Sequence, residues 1–197
     1  MIKAIIFDCF GVVISDTPEA AYISLGGNYE KDLPEINKIR FAVDKGEIAS
    51  SHEGMAKLLG VTPSTYATAV SSGRVINQEL LDYISEELSK KYILSMLSNT
   101  AKGRLPEIFG AGFLERYFKD VVMSGEIGYA KPEAEAYEIA ADRLGVRLDE
   151  CVFIDDRQEY IDGAVAVGMK AILFTSAKQL KKDLNVILSI KEITDGK

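Results

Sequence analysis

The stretch Lys3-Ala4-Ile5-Ile6-Phe7-Asp8 decides how the rest of the chain is read. Its apolar run is unbroken rather than alternating and ends in an acid, the pattern of a parallel strand covered on both faces. Working outward, similar short runs lie at 92–97, 151–154 and 171–174, with a weaker one at 120–123. Helical patterns separate them. Over 131–145, Pro132 suits the first helical position, and Glu133 and Glu135 suit the positive first turn. Tyr137, Ala140, Ala141 and Leu144 then recur at helical spacing, with Gly145 as the C-terminal cap. Over 77–90, Asn77 is the cap and Leu80, Leu81, Ile84 and Leu88 face inward. Ile161, Ala164 and Val165 repeat the pattern before Gly168. Strands alternating with helices predict an α/β fold, a doubly wound parallel sheet of about five strands with right-handed crossovers.

The region 16–72 breaks this rhythm. It shows no strand, only short helical stretches near 33–44, 51–59 and 63–70, and turn residues flank it: Ser15-Asp16-Thr17-Pro18 before, Ser71-Ser72-Gly73 after. The expected division is a core of 1–15 and 73–197 with a helical insertion at 16–72, and 191–197 as a polar tail. Tyr22, Tyr29, Phe41 and Tyr66 read as the insertion's own core.

The 197 residues are 47% hydrophobic and 27% charged, with 23 Lys and Arg against 30 Asp and Glu, a net −7. Such a chain buries a core without staples, and its acidity argues against nucleic acid or anionic membrane as main partners. No apolar run reaches the ~18–20 residues of a bilayer span, and the apolar start is too short for a secretion signal. Cys9 and Cys151 have no zinc or disulfide spacing and sit near opposite ends of their strands. A cytoplasmic protein is expected.

In an open parallel sheet, ligands bind beyond the carboxyl ends of the strands. The predicted ends carry Asp8, Ser98-Asn99-Thr100 and Asp155-Asp156, and Lys131 precedes a helix that starts at the same rim. Three clustered carboxylates repel unless some are protonated or a cation joins them. Mg²⁺ takes oxygen ligands of this kind. A carboxylate can also act as a covalent nucleophile towards phosphorus, with a hydroxyl and an ammonium holding the transferred oxygens. Taken singly, Asp8 also reads as a turn residue or cap, Ser98-Asn99 as a helix cap, Lys131 as a solvated surface lysine and Asp155-Asp156 as an Asx turn.

Together these residues resemble a known family. Ile5-Ile6-Phe7-Asp8-Cys9-Phe10-Gly11-Val12-Val13 resembles the first motif of the haloacid dehalogenase superfamily, and Leu97-Ser98-Asn99-Thr100 its second. Ala130-Lys131-Pro132-Glu133 is similar to the third, and Val152-Phe153-Ile154-Asp155-Asp156, followed by Gly168-Met169-Lys170, to the fourth. All four stand in the family's order, and 16–72 sits where the family places a helical cap. The resemblance is nearest to the phosphatases of subfamily IA, glucose-1-phosphatase-like members included. It implies a Rossmann-like core and a Mg²⁺-dependent phosphomonoesterase acting on a small phosphorylated metabolite, such as a sugar phosphate, through an aspartyl-phosphate. Asp8 would be the nucleophile, with Lys131 steadying it and the phosphate. Ser98 and the Asn99 amide would bind phosphoryl oxygens. Asp8, the Phe10 backbone carbonyl, Asp155 and Asp156 would hold the metal.

One position departs from the pattern. Two residues after the nucleophile, where most such phosphatases carry a second Asp as acid and base, stands Phe10. A missing general acid costs ~10²–10⁴-fold in rate, so leaving groups that depart unprotonated, anomeric sugar or aryl phosphates, are expected to be favoured. The same gap leaves open a 2-haloacid dehalogenase and a catalytically weak binding protein; a phosphonatase, with Lys45 or Lys57 as its Schiff-base lysine, is a separate alternative. His52, the sole histidine, reads as a surface or satisfied histidine, and Cys9 as packing.

Overall fold

The computed structural model describes residues 1–15, 18–44, 47–48 and 50–189. Five strands, β1 (Ala4–Phe7), β2 (Ile93–Ser98), β3 (Asp120–Met123), β4 (Cys151–Asp155) and β5 (Lys170–Leu173), form one sheet in the order β3-β2-β1-β4-β5. Every neighbouring pair is parallel. Side chains of a strand alternate between its faces, and β1 divides accordingly. Ile5 and Phe7 join one core with Leu80, Ile84 and Leu184, while Ala4 and Ile6 join a second with Tyr137, Ala140 and Ala164. The unbroken apolar strand is therefore the middle of a three-layer sandwich.

The helices are α1 (Pro18–Ser24), α2 (Tyr29–Asp44), α3 (His52–Leu59), α4 (Pro63–Ser72), α5 (Gln78–Tyr83), α6 (Arg104–Phe109), α7 (Ser124–Ile127), α8 (Ala134–Leu144), α9 (Gln158–Ala166) and α10 (Ala177–Ser189). Among the described residues between Pro18 and Ser72 the four elements are helical, and they share a third core of Ala21, Tyr22, Ile36, Met55, Ala56, Tyr66 and Val70. Tyr22 and Tyr66 sit in it fully buried, whereas Phe41, expected there, is 60% exposed. The predicted tail 191–197, Asp16 and Thr17 of the first flanking turn, and Lys45 lie outside the described residues.

Four other local expectations are corrected. Pro132 does not open α8, because Ala130 and Glu133 close a turn ahead of it: the Glu133 N–H donates to the Ala130 carbonyl, and the Ala130 N–H donates to the Glu133 carboxylate, both at 2.8 Å. Helix 77–90 is α-helical only to Tyr83 and widens into one π turn, Ile84–Leu88, which keeps Ile84 and Leu88 buried before β2. Val165 points outward at 56% exposure, since Ile161 and Ala164 already fill the sheet-facing stripe of α9. Helix α2 starts four residues early, where the Asn28 side chain accepts the Lys31 N–H at 3.1 Å. Asn77 and Gly145 act as the expected caps: the Asn77 side chain accepts the Leu80 N–H, and Gly145 adopts φ 71°. Both cysteines are buried thiols.

The order places β1 and β4 where the chain changes direction across the sheet. β1 to β3 extend one way, and β4 and β5 the other. The crevice outside the carboxyl ends at such a switch point is where doubly wound sheets bind ligands. Asp8 follows β1 there, and Asp155 ends β4. No helix among the described residues is long and apolar enough to cross a membrane.

Candidate active site

The register pairs Phe7 with Ile154 of β4 and with Met96 of β2. The residues one step further along these strands are thereby neighbours. The Asp8 N–H donates to the Ile154 carbonyl at 2.8 Å, and the chain then turns sharply, with the Val13 and Ile14 N–H groups both reaching the Cys9 carbonyl. Gly11 sits in this turn at φ +88°, and a Cβ there would lie 2.1 Å from Asp156 Oδ2. The turn therefore closes over the Asp156 carboxylate only because position 11 has no side chain.

Lys131 reaches this place from across the sheet. Its Nζ donates to Asp8 Oδ1 and to Asp155 Oδ2, each at 2.6 Å, and all three side chains are buried. Asn99 fixes the lysine's backbone on both sides: Oδ1 accepts the Lys131 N–H at 2.8 Å, and Nδ2 donates to the Lys131 carbonyl at 2.9 Å. The ammonium also lies 4.8 Å from the centre of the Tyr160 ring, a cation–π arrangement. Asp155 Oδ1 accepts the Arg157 N–H at 2.9 Å.

Burial pushes the Asp8 carboxyl up to about 7, helped by the Asp155 charge and opposed by Lys131. Burial works against the Lys131 ammonium, but the two carboxylates outweigh it and hold the lysine above its ordinary range. The site thus concentrates negative charge and keeps one cation locked within it.

Asp8, Asp155 and Asp156 offer carboxylate oxygens within 4.8 Å of one another. Three carboxylates against one ammonium leave negative charge in excess, and the donor atoms are hard oxygens. Such a set fits a Mg²⁺-like cation, and the Gly11 turn leaves room for its third carboxylate. Ser98, at the end of β2, is fully buried, and its hydroxyl has no hydrogen-bond partner among the described residues. A buried hydroxyl left unpaired costs about 1–3 kcal/mol, which a ligand oxygen would offset.

A cavity of about 350 Å³ opens over this group. Asp8, Phe10, Asn99, Lys131, Asp156 and Tyr160 line it from the sheet side. Met55, Tyr66 and Val70 line it from the third core, and His52 beside them places the sole histidine in the cavity wall. That volume suits a small metabolite. Cys9 is packed in the first core, as expected of a residue without chemistry. Lys57 is exposed on α3 and is not part of the lining.

Sequence reasoning missed Asn99 as a two-point clamp, Tyr160 under the ammonium, and the arginines of the cavity wall. Only the polar Asn99 beside a strand end carried a signal. The others are set by how the helices and the segments joining them pack together.

Comparisons with known proteins place these features in context. Residues 2–168 match the family of haloacid dehalogenase-like hydrolases. The chain is 23% identical to a phosphorylated carbohydrates phosphatase of Thermotoga maritima, over 97% of this chain and 99% of that protein. It is 39% identical to a phosphatase of Mycobacterium tuberculosis over 39% of its own length, spanning only 36% of that relative. A HAD family enzyme of Bacteroides thetaiotaomicron, solved with magnesium and inorganic phosphate, superposes with a TM-score of 0.72 at 25% identity, covering 89% of this chain and 96% of that one.

Proposed function

The chain belongs to the haloacid dehalogenase-like hydrolase family, and from that premise we propose that it is a Mg²⁺-dependent phosphomonoesterase of a small phosphorylated metabolite, a sugar phosphate included. The observation that carries the reading is the buried pair Asp8 and Asp155 bridged by Lys131, with the exposed Asp156 carboxylate within 4.8 Å of both, beside the hydroxyl of Ser98, which has no partner among the described residues. The phosphatase names among the relatives support it.

Asp8 is the nucleophile. One carboxylate oxygen bonds to phosphorus while the ester P–O bond breaks, and the leaving oxygen takes the electron pair. Water then attacks phosphorus of the aspartyl-phosphate, phosphate departs, and the carboxylate is restored. Lys131 orients Asp8 and offsets charge on the transferred oxygens. Ser98 donates its hydroxyl to one of those oxygens. The Asn99 side chain is committed to Lys131, so Asn99 offers its backbone amide. Asp8, Asp155, Asp156 and the Phe10 carbonyl would hold Mg²⁺, which when bound neutralises carboxylate and phosphate charge. Phe10 can move no proton, so the leaving group departs largely unprotonated. The helices between 16 and 72 serve as the cap that shapes the substrate cavity, on a core of 1–15 and 73–197.

The test is phosphate release from sugar phosphates and an aryl phosphate, with Mg²⁺ or EDTA, beside Asp8→Asn. Release that needs Mg²⁺ and disappears in the variant is the expected result. Halide release from 2-haloacids that survives EDTA, without phosphate release, would replace the reading by a dehalogenase. Mg²⁺ binding with neither product would mark a binding protein.

A further inference from the structure

The protein carries a net charge of −7, yet four side chains of the cavity wall are arginines: Arg40, Arg74, Arg104 and Arg157. Among the described residues the only carboxylates lining that cavity are Asp8 and Asp156, both on the sheet side. Arg40 comes from α2, Arg74 from the segment between α4 and α5, and Arg104 from the first position of α6. The three are half-buried.

Aromatic rings and polar side chains of neighbouring elements surround them. The Arg40 guanidinium lies over the Tyr29 ring, 5.7 Å from its centre. Arg74 lies 6.0 Å from the centre of the Phe10 ring. Arg104 bonds Glu107 at 3.0 Å, but that glutamate side chain is 68% exposed and solvated, so the charge is only partly screened. The second guanidinium nitrogen of Arg104 approaches His52 Nε2 at 3.5 Å. Burial lowers the pKa of His52, and the charges of Arg104 and Arg74 lower it further, so they add a positive field to this part of the wall.

The phosphoryl group does not need this field. On the proposed function, its oxygens are met at the cavity floor by Lys131, Ser98, the Asn99 amide and the cation. Guanidinium groups bind carboxylate and phosphate through paired N–H donors, a geometry that lysine lacks. Between wall and floor lie Met55, Tyr66 and Val70, apolar surface suited to a short carbon frame.

We propose that the cavity holds a second anion site, built on Arg40 and Arg104, and that the substrate is a phosphate monoester carrying a further carboxylate or phosphate. The inference rests on the phosphatase reading of the floor and deepens it. Two matched ligand pairs test it on the Mg²⁺-loaded protein: 3-phosphoglycerate against glycerol 3-phosphate, and fructose 1,6-bisphosphate against fructose 6-phosphate. Affinity is measured by calorimetry and phosphate release in parallel, for the wild type, Arg40→Gln, Arg104→Gln and, as a charge control on exposed α2 surface, Lys38→Gln.

Charged hydrogen bonds of this kind predict about 10-fold or stronger preference for the doubly anionic member of at least one pair. The pair that discriminates identifies the second anion as carboxylate or phosphate. The preference should fall below about 3-fold in both arginine variants, against the same tenfold scale, and persist in Lys38→Gln. Equal affinity within both pairs, no binding of any of the four, or discrimination kept in both arginine variants would overturn it. The affinities report on the second site even without turnover. Mg²⁺-dependent release from an aryl phosphate, lost in Asp8→Asn, reports separately on the floor.

Discussion

At the scale of single residues, Phe10 sets what the site can and cannot do. It follows Asp8, the proposed nucleophile, by two positions, lines the cavity, and brings no titratable group to it. Phe10→Asp is expected to raise kcat/KM for a simple alkyl phosphate by ~10²–10⁴-fold and to change that for an aryl phosphate much less, because a phenolate departs without help. Steady-state kinetics on the two ester types check this, and a uniform change across both would refute the assignment. Its neighbour Gly11 acts through what it lacks. The space a Cβ would take is filled by the Asp156 carboxylate, so the acidic rim depends on a missing atom.

Between elements, the position of Lys131 is a packing result. Its ammonium comes from the turn before α8, that turn is tied to the end of β2 by Asn99, and α9 closes behind it through Gly163. A Cβ at Gly163 would lie 2.8 Å from Pro132 Cβ and 2.8 Å from the Tyr137 hydroxyl. Gly163→Ala therefore overpacks the joint between α8 and α9, at about 1–3 kcal/mol of stability, and displaces Lys131 with it. The expected outcome is a lower denaturation midpoint together with reduced turnover at unchanged metal content. A stability loss with full activity would show that the lysine is positioned by Asn99 alone. All five strands were legible within one or two residues, because a run covered on both faces is apolar at every position. Helix starts were less so. The Ala130–Glu133 turn depends on a side chain reaching back to the backbone, which periodicity does not register.

At the scale of the molecule, the helical segment from Pro18 to Ser72 packs its own core and leaves His52 half-buried at the boundary with the cavity. The folded state holds His52 below its ordinary pKa of 6.5 through burial, with Arg104 and Arg74 adding to it. A histidine with a depressed folded pKa favours the fold while neutral. Stability is then lost as pH falls from 6.5 towards that lower value, and no further loss arises from this group beneath it. His52→Asn is expected to flatten this part of the stability–pH curve. Denaturant titrations between about pH 7 and 5 measure the difference, and parallel curves for both proteins would remove His52 as the cause.

The sequence by itself determined the parallel sheet, the helical insertion and the rim residues Asp8, Ser98, Lys131 and Asp155-Asp156. Strand burial writes a continuous apolar run, and the polar residue that ends each run marks the rim. Tertiary structure alone decided that one ammonium bridges Asp8 and Asp155, that Asn99 clamps it, and that arginines from α2, α6 and the segment before α5 meet over one cavity. Those residues lie tens of positions apart in exposed or half-buried helical and loop segments, where charged side chains are ordinary. Only the packing of helices with separate cores gives their charges a common target.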